Sequence, residues 1–175
     1  MKRNSEQLEN VAESTLHETD SYRVPVPIER IAQRLNLSME AGHLEDVAGM
    51  LIVRENAGAI GYNAAHWRVR QRFTISHEIA HYVLHARKSG KPQLFVDRYL
   101  RFRPDGDQSA RNGRAEEEAN LLGAALLMPK SVNRREIEQQ NLNLDDEEAI
   151  RYLANRFQVS IAAIATRLWN LQILR

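Results

Sequence analysis

The five residues His77-Glu78-Ile79-Ala80-His81 determine how the rest of this sequence is interpreted. Residues four apart on a helix share one face with their Cβ atoms about 6 Å apart, so the imidazoles of His77 and His81 can bind one metal ion. Glu78 borders the same face, where its carboxylate can act as a general base toward a water molecule without being a ligand. The pattern therefore predicts a divalent metal site on a helix.

The sequence around the motif indicates that this helix is buried. His85 lies one turn beyond His81 on the same face, whereas most other positions are apolar, namely Phe73, Ile75, Ile79, Ala80, Val83, Leu84 and Ala86. A helix that is apolar nearly all round is a buried helix. Burial of several ionisable side chains costs free energy unless a partner compensates, and a bound cation is such a partner. The alternative is an exposed polar stripe on an ordinary amphipathic helix.

A second segment supplies a candidate third ligand, since a catalytic zinc site usually has three protein ligands and a water molecule. Residues 116–128 have the length and composition of a helix that ends before Pro129. Glu116 shares one face of this helix with the small residues Ala119 and Gly123, which would let the helix approach the first one closely. Asn120, one turn beyond Glu116, is suited to accept the second ring N–H of a ligating histidine.

The remaining candidates and the choice of metal follow from the same ligand chemistry. His85 is predicted to support the ligands or to donate a hydrogen bond to a reacting group, rather than to bind the metal. Zinc suits a set of two imidazoles and one carboxylate, although manganese or iron would also bind there. The chain contains no cysteine, which excludes thiolate metal sites and disulfides.

Length and charge exclude several classes of protein. The chain has 175 residues, which suits one domain with a substantial core. Its formal net charge of +1 gives no reason to expect nucleic acid or an anionic membrane as a partner. No apolar run approaches the roughly 20 residues of a membrane span, and the polar N-terminus lacks the apolar core of a signal peptide. We therefore expect a soluble, cytoplasmic protein.

Periodicity along the chain predicts an α+β fold in which a small antiparallel sheet packs on a helical bundle. The predicted helices cover residues 5–18, 28–35, 73–86, 116–128, 145–157 and 161–171, and the predicted strands cover 38–41, 49–53, 59–62 and 94–96. The first three strands are expected to form an antiparallel meander. Residues 97–114 are polar and without clear periodicity, which predicts a long loop between the two segments that carry the metal ligands.

The last two predicted helices are separated by three residues, an arrangement that resembles a helix-turn-helix. Ser160 is a suitable N-cap for the second of them. That second helix carries only Arg167 as a charged residue, so it offers few groups to bases or phosphates. Packing against the rest of the domain is the preferred interpretation, and direct binding of nucleic acid is not expected.

Three separated motifs together resemble the ImmA/IrrE family of zinc-dependent peptidases. They are Arg72-Phe73-Thr74-Ile75-Ser76 followed by the histidine motif, Glu116-x-x-Ala119-Asn120, and Leu126-Leu127-Met128-Pro129. The resemblance implies a compact, minimal gluzincin-like metallopeptidase domain in which His77, His81 and Glu116 bind the metal and Glu78 is the catalytic base. Because family members cut helix-turn-helix repressors, it also implies that the substrate is such a repressor or an antitoxin encoded nearby, and that cleavage relieves repression.

Within that family, a peptide substrate needs a place to bind. The strand nearest in sequence to the metal-binding helix is 59–62, and an exposed strand edge can pair with a peptide main chain. We therefore predict that Gly61 and Tyr62 line the substrate cleft. The alternative is an ordinary strand whose edge is covered by its neighbours.

The expected organisation has three parts: an N-terminal helical extension (1–21), a metallopeptidase core (22–130), and a C-terminal helical subdomain (131–175) packed on that core. Two other functions remain open from the sequence. One is a metal-containing module that sequesters a repressor without cutting it, and the other is a DNA-binding regulator that acts through its C-terminal helices.

Overall fold

One mixed sheet and a set of helices make up this computed structural model, which describes residues 3–54, 57–87, 89, 91–98 and 109–174. The strands are β1 (Leu37–Gly42), β2 (Val47–Arg54), β3 (Ala57–Asn63) and β4 (Gln93–Arg98). They lie in the order β1-β3-β2-β4, with β1 parallel to β3 and the other two pairings antiparallel.

The helices account for most of the described chain. They are α1 (Ser5–Glu18), α2 (Ile28–Arg34), α3 (Arg68–His81), α4 (Ser109–Leu127), α5 (Lys130–Gln139), α6 (Glu147–Phe157) and α7 (Ile161–Asn170), and a π-helical turn (Tyr82–Ala86) continues α3. The predicted α+β class is confirmed. In the described part of the chain, no helix combines the length and the apolarity needed to cross a membrane.

Helix α3 lies at the centre of the fold, packed against α4 on one side and against β2 and β3 on the other. Ile75, Ile79 and Ala80 are completely or almost completely buried, as are Leu51 and Ile60 on the sheet. Each fully buried aliphatic side chain of this size contributes about 1.5–3 kcal/mol through removal of apolar surface from water. The prediction that this helix is buried is confirmed, so the histidine motif lies on a helix enclosed by α4 and the sheet.

The predicted antiparallel meander is wrong in one of its pairings. β2 and β3 form the expected hairpin, but β1 pairs with the far side of β3 in parallel, from Leu37 opposite Gly58 to Gly42 opposite Asn63. The pattern of apolar residues identifies a strand but does not specify its partner. The chain crosses from β1 past β3 before it enters β2, which makes the sheet mixed.

Residues 97–114, which were predicted to form one long loop, are partly strand and partly helix. β4 extends to Arg98 and α4 begins at Ser109, so both ends of the stretch belong to regular elements. The rest of the predicted loop, residues 99–108, lies outside the described residues. Asp97 consequently belongs to the sheet, on a strand that flanks α3.

The terminal helices pack on the same core. Leu8 and Leu16 of α1 and Ile164 and Leu168 of α7 are fully or almost fully buried. The predicted cap of α7 is confirmed, since the Ser160 side chain accepts a hydrogen bond from the backbone N–H of Ala163 in the first turn of that helix. The division into an extension, a core and a C-terminal subdomain stays a prediction.

Candidate metal centre

Three side chains from α3 and α4 bring their donor atoms to one point. The Nε2 atoms of His77 and His81 lie 3.0 Å apart, and the two Glu116 carboxylate oxygens lie 3.2 Å from them, one oxygen to each ring. Donor atoms about 2.0–2.2 Å from a tetrahedral zinc ion are about 3.3 Å from one another. The observed separations therefore match those that a metal ion would impose.

The charges at this point also suit a cation. Burial favours the neutral form of Glu116, but hydrogen bonds from His77 and His81 outweigh it and lower the pKa of Glu116 to about 2. Both imidazoles are almost completely buried, and their Nδ1 atoms have no hydrogen-bond partner among the described residues. An ionised carboxylate and two inward-facing imidazole nitrogens form a ligand set that fits a divalent metal.

The close approach of α4 to α3 depends on Gly123. A Cβ atom at this position would lie 3.3 Å from both the backbone N and the Cα of His77. The Ser76 hydroxyl donates a hydrogen bond to the Gly123 carbonyl at 2.8 Å, which fixes the two helices together one residue before the first ligand. Ala119, the other small residue, is fully buried. The predicted close approach of the two helices is confirmed at Gly123.

Glu78 points from α3 toward the sheet and is fully buried. Burial, together with the negative charges of Asp97 and Glu116, raises the pKa of Glu78 to about 9. Both of its oxygens lack a hydrogen-bond partner in the described structure. A cation held by the neighbouring ligands would favour the ionised form, since opposite charge within a few ångströms lowers a carboxyl pKa.

Asp97 is a residue near the site that the sequence interpretation missed. It stands opposite Gly49 in the antiparallel pairing of β4 with β2, which places it on the face of the sheet that meets α3. Burial raises the pKa of Asp97, and its charge interacts with His77, His81 and Glu116. Residues two apart on a strand share one face of the sheet. Asp97 is two residues beyond Phe95, whose ring stacks on His81 at 4.8 Å between centroids, so strand periodicity could have placed Asp97 beside the site. The predicted strand ended at residue 96 and therefore did not include Asp97.

His85 lies beside the ligand set without joining it. Its ring centroid is 5.7 Å from that of His81. Burial lowers the pKa of His85, and the nearby backbone of Ala115, the residue before Glu116, opposes this shift. Its Nε2 atom is buried without a hydrogen-bond partner among the described residues. A supporting role for His85 remains a prediction, now with a defined contact.

Asn120 does not make the predicted hydrogen bond to a ligand. It is exposed and lines a groove with Phe73 and Leu121, while the Nδ1 atoms of both ligand histidines remain unbonded in the described structure. A spacing of one helical turn from Glu116 is therefore not enough to bring Asn120 to the ligand histidines.

The prediction for Gly61 and Tyr62 fails in its physical basis. β3 is paired on both sides, with β1 and with β2, so its main chain has no free edge to offer to a peptide. Contact of Gly61 and Tyr62 with a substrate stays a prediction. Among the described strands, β4 pairs only with β2 and lies beside the metal-binding helix through Phe95.

Comparison with known proteins identifies the family. A family model described as the IrrE N-terminal-like domain, a peptidase family, matches residues 28–169 and so includes all the candidate metal ligands. A comparison with curated protein sequences gives no match. The matched region spans most of the chain and agrees with the ImmA/IrrE resemblance of the motifs. The chain belongs to the IrrE N-terminal-like domain family of peptidases.

Proposed function

We propose that the protein is a zinc-dependent endopeptidase with its active site at His77, His81 and Glu116. The observation that carries the proposal is the convergence of two buried imidazole nitrogens and an ionised carboxylate at separations of 3.0–3.2 Å, in a chain that belongs to a peptidase family. Zinc is the preferred metal, and manganese or iron would also fit this ligand set. When bound, such an ion polarises a carbonyl oxygen and makes water acidic enough to react near neutral pH.

Glu78 is proposed as the general base. Glu78 directly follows His77 in the sequence, and its carboxylate is buried between α3 and β2. In this role one carboxylate oxygen accepts the proton of the attacking water and then donates it to the leaving amine of the cleaved peptide. Exclusion of bulk water around Glu78 strengthens its electrostatic interactions with the reacting groups.

The substrate is proposed to be a helix-turn-helix repressor or an antitoxin encoded nearby, and its cleavage would relieve repression. This part rests on the family resemblance. The structure changes the expected mode of binding, because β3 is enclosed by its neighbours while β4 carries Phe95 and Asp97 next to the site. We expect an extended peptide to pair with β4 instead.

Incubation of the purified protein with a candidate repressor and zinc or manganese tests the activity. Fragments on a gel are expected with the wild type, and none with Glu78→Gln, which keeps the shape of the side chain but cannot accept the proton. Metal content measured on both proteins should be nearly equal. Cleavage by Glu78→Gln at the wild-type rate would exclude Glu78 as the base.

The same assay separates cleavage from sequestration, since a sequestering module would bind the repressor and leave it intact. The remaining alternative, DNA binding through α7, receives no support from Arg167. This guanidinium is buried and bonds to both carboxylate oxygens of Glu9, at 2.6 and 2.8 Å, and to the Met128 carbonyl. The charge that a DNA backbone would need is already neutralised inside the protein.

A further inference from the structure

The metal site depends on the placement of α4, because Glu116 lies in the first half of that helix while both histidines lie on α3. The hydrogen bond from Ser76 to Gly123 joins the two helices next to His77. Gly123 lies two turns beyond Glu116 along α4. A separate contact is needed to fix the turn of α4 that carries Glu116 itself. Arg3 makes such a contact, with Glu118.

Arg3 bonds both segments that carry metal ligands. Its guanidinium Nη1 donates to Glu118 Oε2 at 2.8 Å and its backbone N–H donates to Glu118 Oε1 at 2.9 Å. Its Nη2 donates to the Leu84 carbonyl at 3.4 Å. Glu118 is two residues after Glu116, and Leu84 is three residues after His81. We call these three residues the Arg3 clamp.

The clamp acts on a buried carboxylate. Glu118 is only 4% exposed, so its carboxylate depends on Arg3 for most of the interactions that water would otherwise supply. Leu84 belongs to the π-helical turn, in which the Arg87 N–H reaches back five residues to the Tyr82 carbonyl. Such turns are rare and occur often at functional sites. The clamp therefore connects α4 to an irregular turn that directly follows a ligand.

The same turn contacts α4 on the other side of Glu116. His85 lies close to the backbone of Ala115, and Arg3 bonds to Glu118, so the two contacts flank Glu116 by one and two residues. Without the Arg3 guanidinium, the buried Glu118 carboxylate would keep only its bond from the Arg3 backbone N–H, and moving toward water would stabilise it. That movement would rotate this turn of α4 outward. Glu116 would move with it, away from the imidazoles.

We propose that Arg3 is a positioning residue of the metal centre, which holds Glu116 at metal-binding distance from His77 and His81 by joining Glu118 to the Leu84 carbonyl. The inference rests on the proposed function, because it takes these three residues to be the metal ligands. Arg3 lies before the region that the family model matches, residues 28–169. This support of the site therefore comes from a part of the chain outside that region.

Cobalt(II) titration of the full chain tests the clamp, because the visible absorption of cobalt reports the number and geometry of its ligands. We expect Arg3→Ala to bind cobalt about tenfold more weakly and with an altered absorption band, since loss of a residue that orients a ligand has effects of this size. Arg3→Lys should restore the affinity only in part, because an ammonium group cannot bridge both acceptors as a guanidinium does.

Arg87→Ala is the matched control. Arg87 bonds both oxygens of Glu18 and also connects α1 to the region of the π-helical turn, but among the described residues no hydrogen bond or ion pair joins its side chain to α4. Its removal should leave the cobalt affinity and absorption band unchanged. Circular dichroism of each variant establishes that it is folded before titration.

Hydrogen exchange of the metal-free proteins gives a second measurement. Arg3→Ala should exchange the backbone amides of residues 113–121 faster than Arg87→Ala does. Wild-type affinity and absorption in Arg3→Ala, or unchanged exchange over these residues, would overturn the clamp. Failure of the wild-type protein itself to bind cobalt would instead overturn the proposed metal centre, and the exchange experiment would still decide whether Arg3 fixes α4.

Discussion

The backbone of Gly49 lies directly against the carboxylate of Glu78. A Cβ atom built on Gly49 would lie 2.9 Å from Glu78 Oε1 and closer still to the Thr74 methyl group. On strand β2, the residue that faces the proposed base therefore has no side chain. A side chain at residue 49 would therefore collide with Glu78 and Thr74.

Substitution of this glycine should displace Glu78. We expect Gly49→Ala to lower the free energy of unfolding by about 1–3 kcal/mol, the usual cost of overpacking, and to abolish most of the peptidase activity. Urea denaturation and the cleavage assay measure the two effects. Gly42→Ala is the control, since the nearest atom to its added Cβ would be 3.7 Å away, and it should change neither quantity.

Zinc should stabilise the folded protein through Glu116. A ligand that binds only the folded state at 100 times its Kd raises the free energy of unfolding by about 2.7 kcal/mol. We expect a rise of that order in the wild type, measured by thermal unfolding with and without zinc, and little of it in Glu116→Ala. Glu138→Ala, an exposed acidic residue on α5, should respond as the wild type does. Equal stabilisation of the Glu116 variant would remove Glu116 from the ligand set.

The parts of the site that follow from local spacing could be predicted from the sequence. His77, Glu78 and His81 are placed by the period of one helix, and Glu116 with Gly123 by the period of another. Asp97 required the correct end of a strand. The apolar run Leu94-Phe95-Val96 that identified this strand stops at the residue before Asp97, although the strand continues to Arg98.

Contacts between distant segments could not be predicted in this way. β1 pairs with β3 and not with β2, and no pattern within β1 specifies which of these two strands it joins. Arg3 and Glu118 are 115 positions apart, and nothing in either local sequence indicates the other. Helix faces restrict what a residue can touch, whereas tertiary packing selects the partner.

The two glycines of α4 should respond oppositely to substitution. Gly113 has no described atom within 4 Å of an added Cβ, so Gly113→Ala should raise the free energy of unfolding by about 0.5–1 kcal/mol through better helix propensity. Gly123→Val should lower the free energy of unfolding by about 1–3 kcal/mol, because its side chain would meet the backbone of His77. Metal affinity should fall in Gly123→Val alone. Equal affinity in both variants would show that the spacing of α3 and α4 does not control the site.

The ion pair between Arg167 and Glu9 should be a major support of the helical packing. Arg167 joins α7 to α1 through Glu9 and to the end of α4 through the Met128 carbonyl. Truncation of one partner of a buried pair leaves the other charge uncompensated, which typically costs about 3–5 kcal/mol. We expect Arg167→Ala to lose stability of that order in urea denaturation.

Arg151→Ala provides the comparison for this loss, because Arg151 contacts Glu147 and Glu148 on the exposed face of α6. Exposed pairs of this kind contribute about 0–1 kcal/mol, so this variant should unfold close to the wild type. The double variant Glu9→Gln with Arg167→Met removes both charges and should recover part of the loss, since no uncompensated charge then remains inside the protein. Equal losses for Arg167→Ala and Arg151→Ala would mean that burial of the Arg167 pair has no energetic consequence.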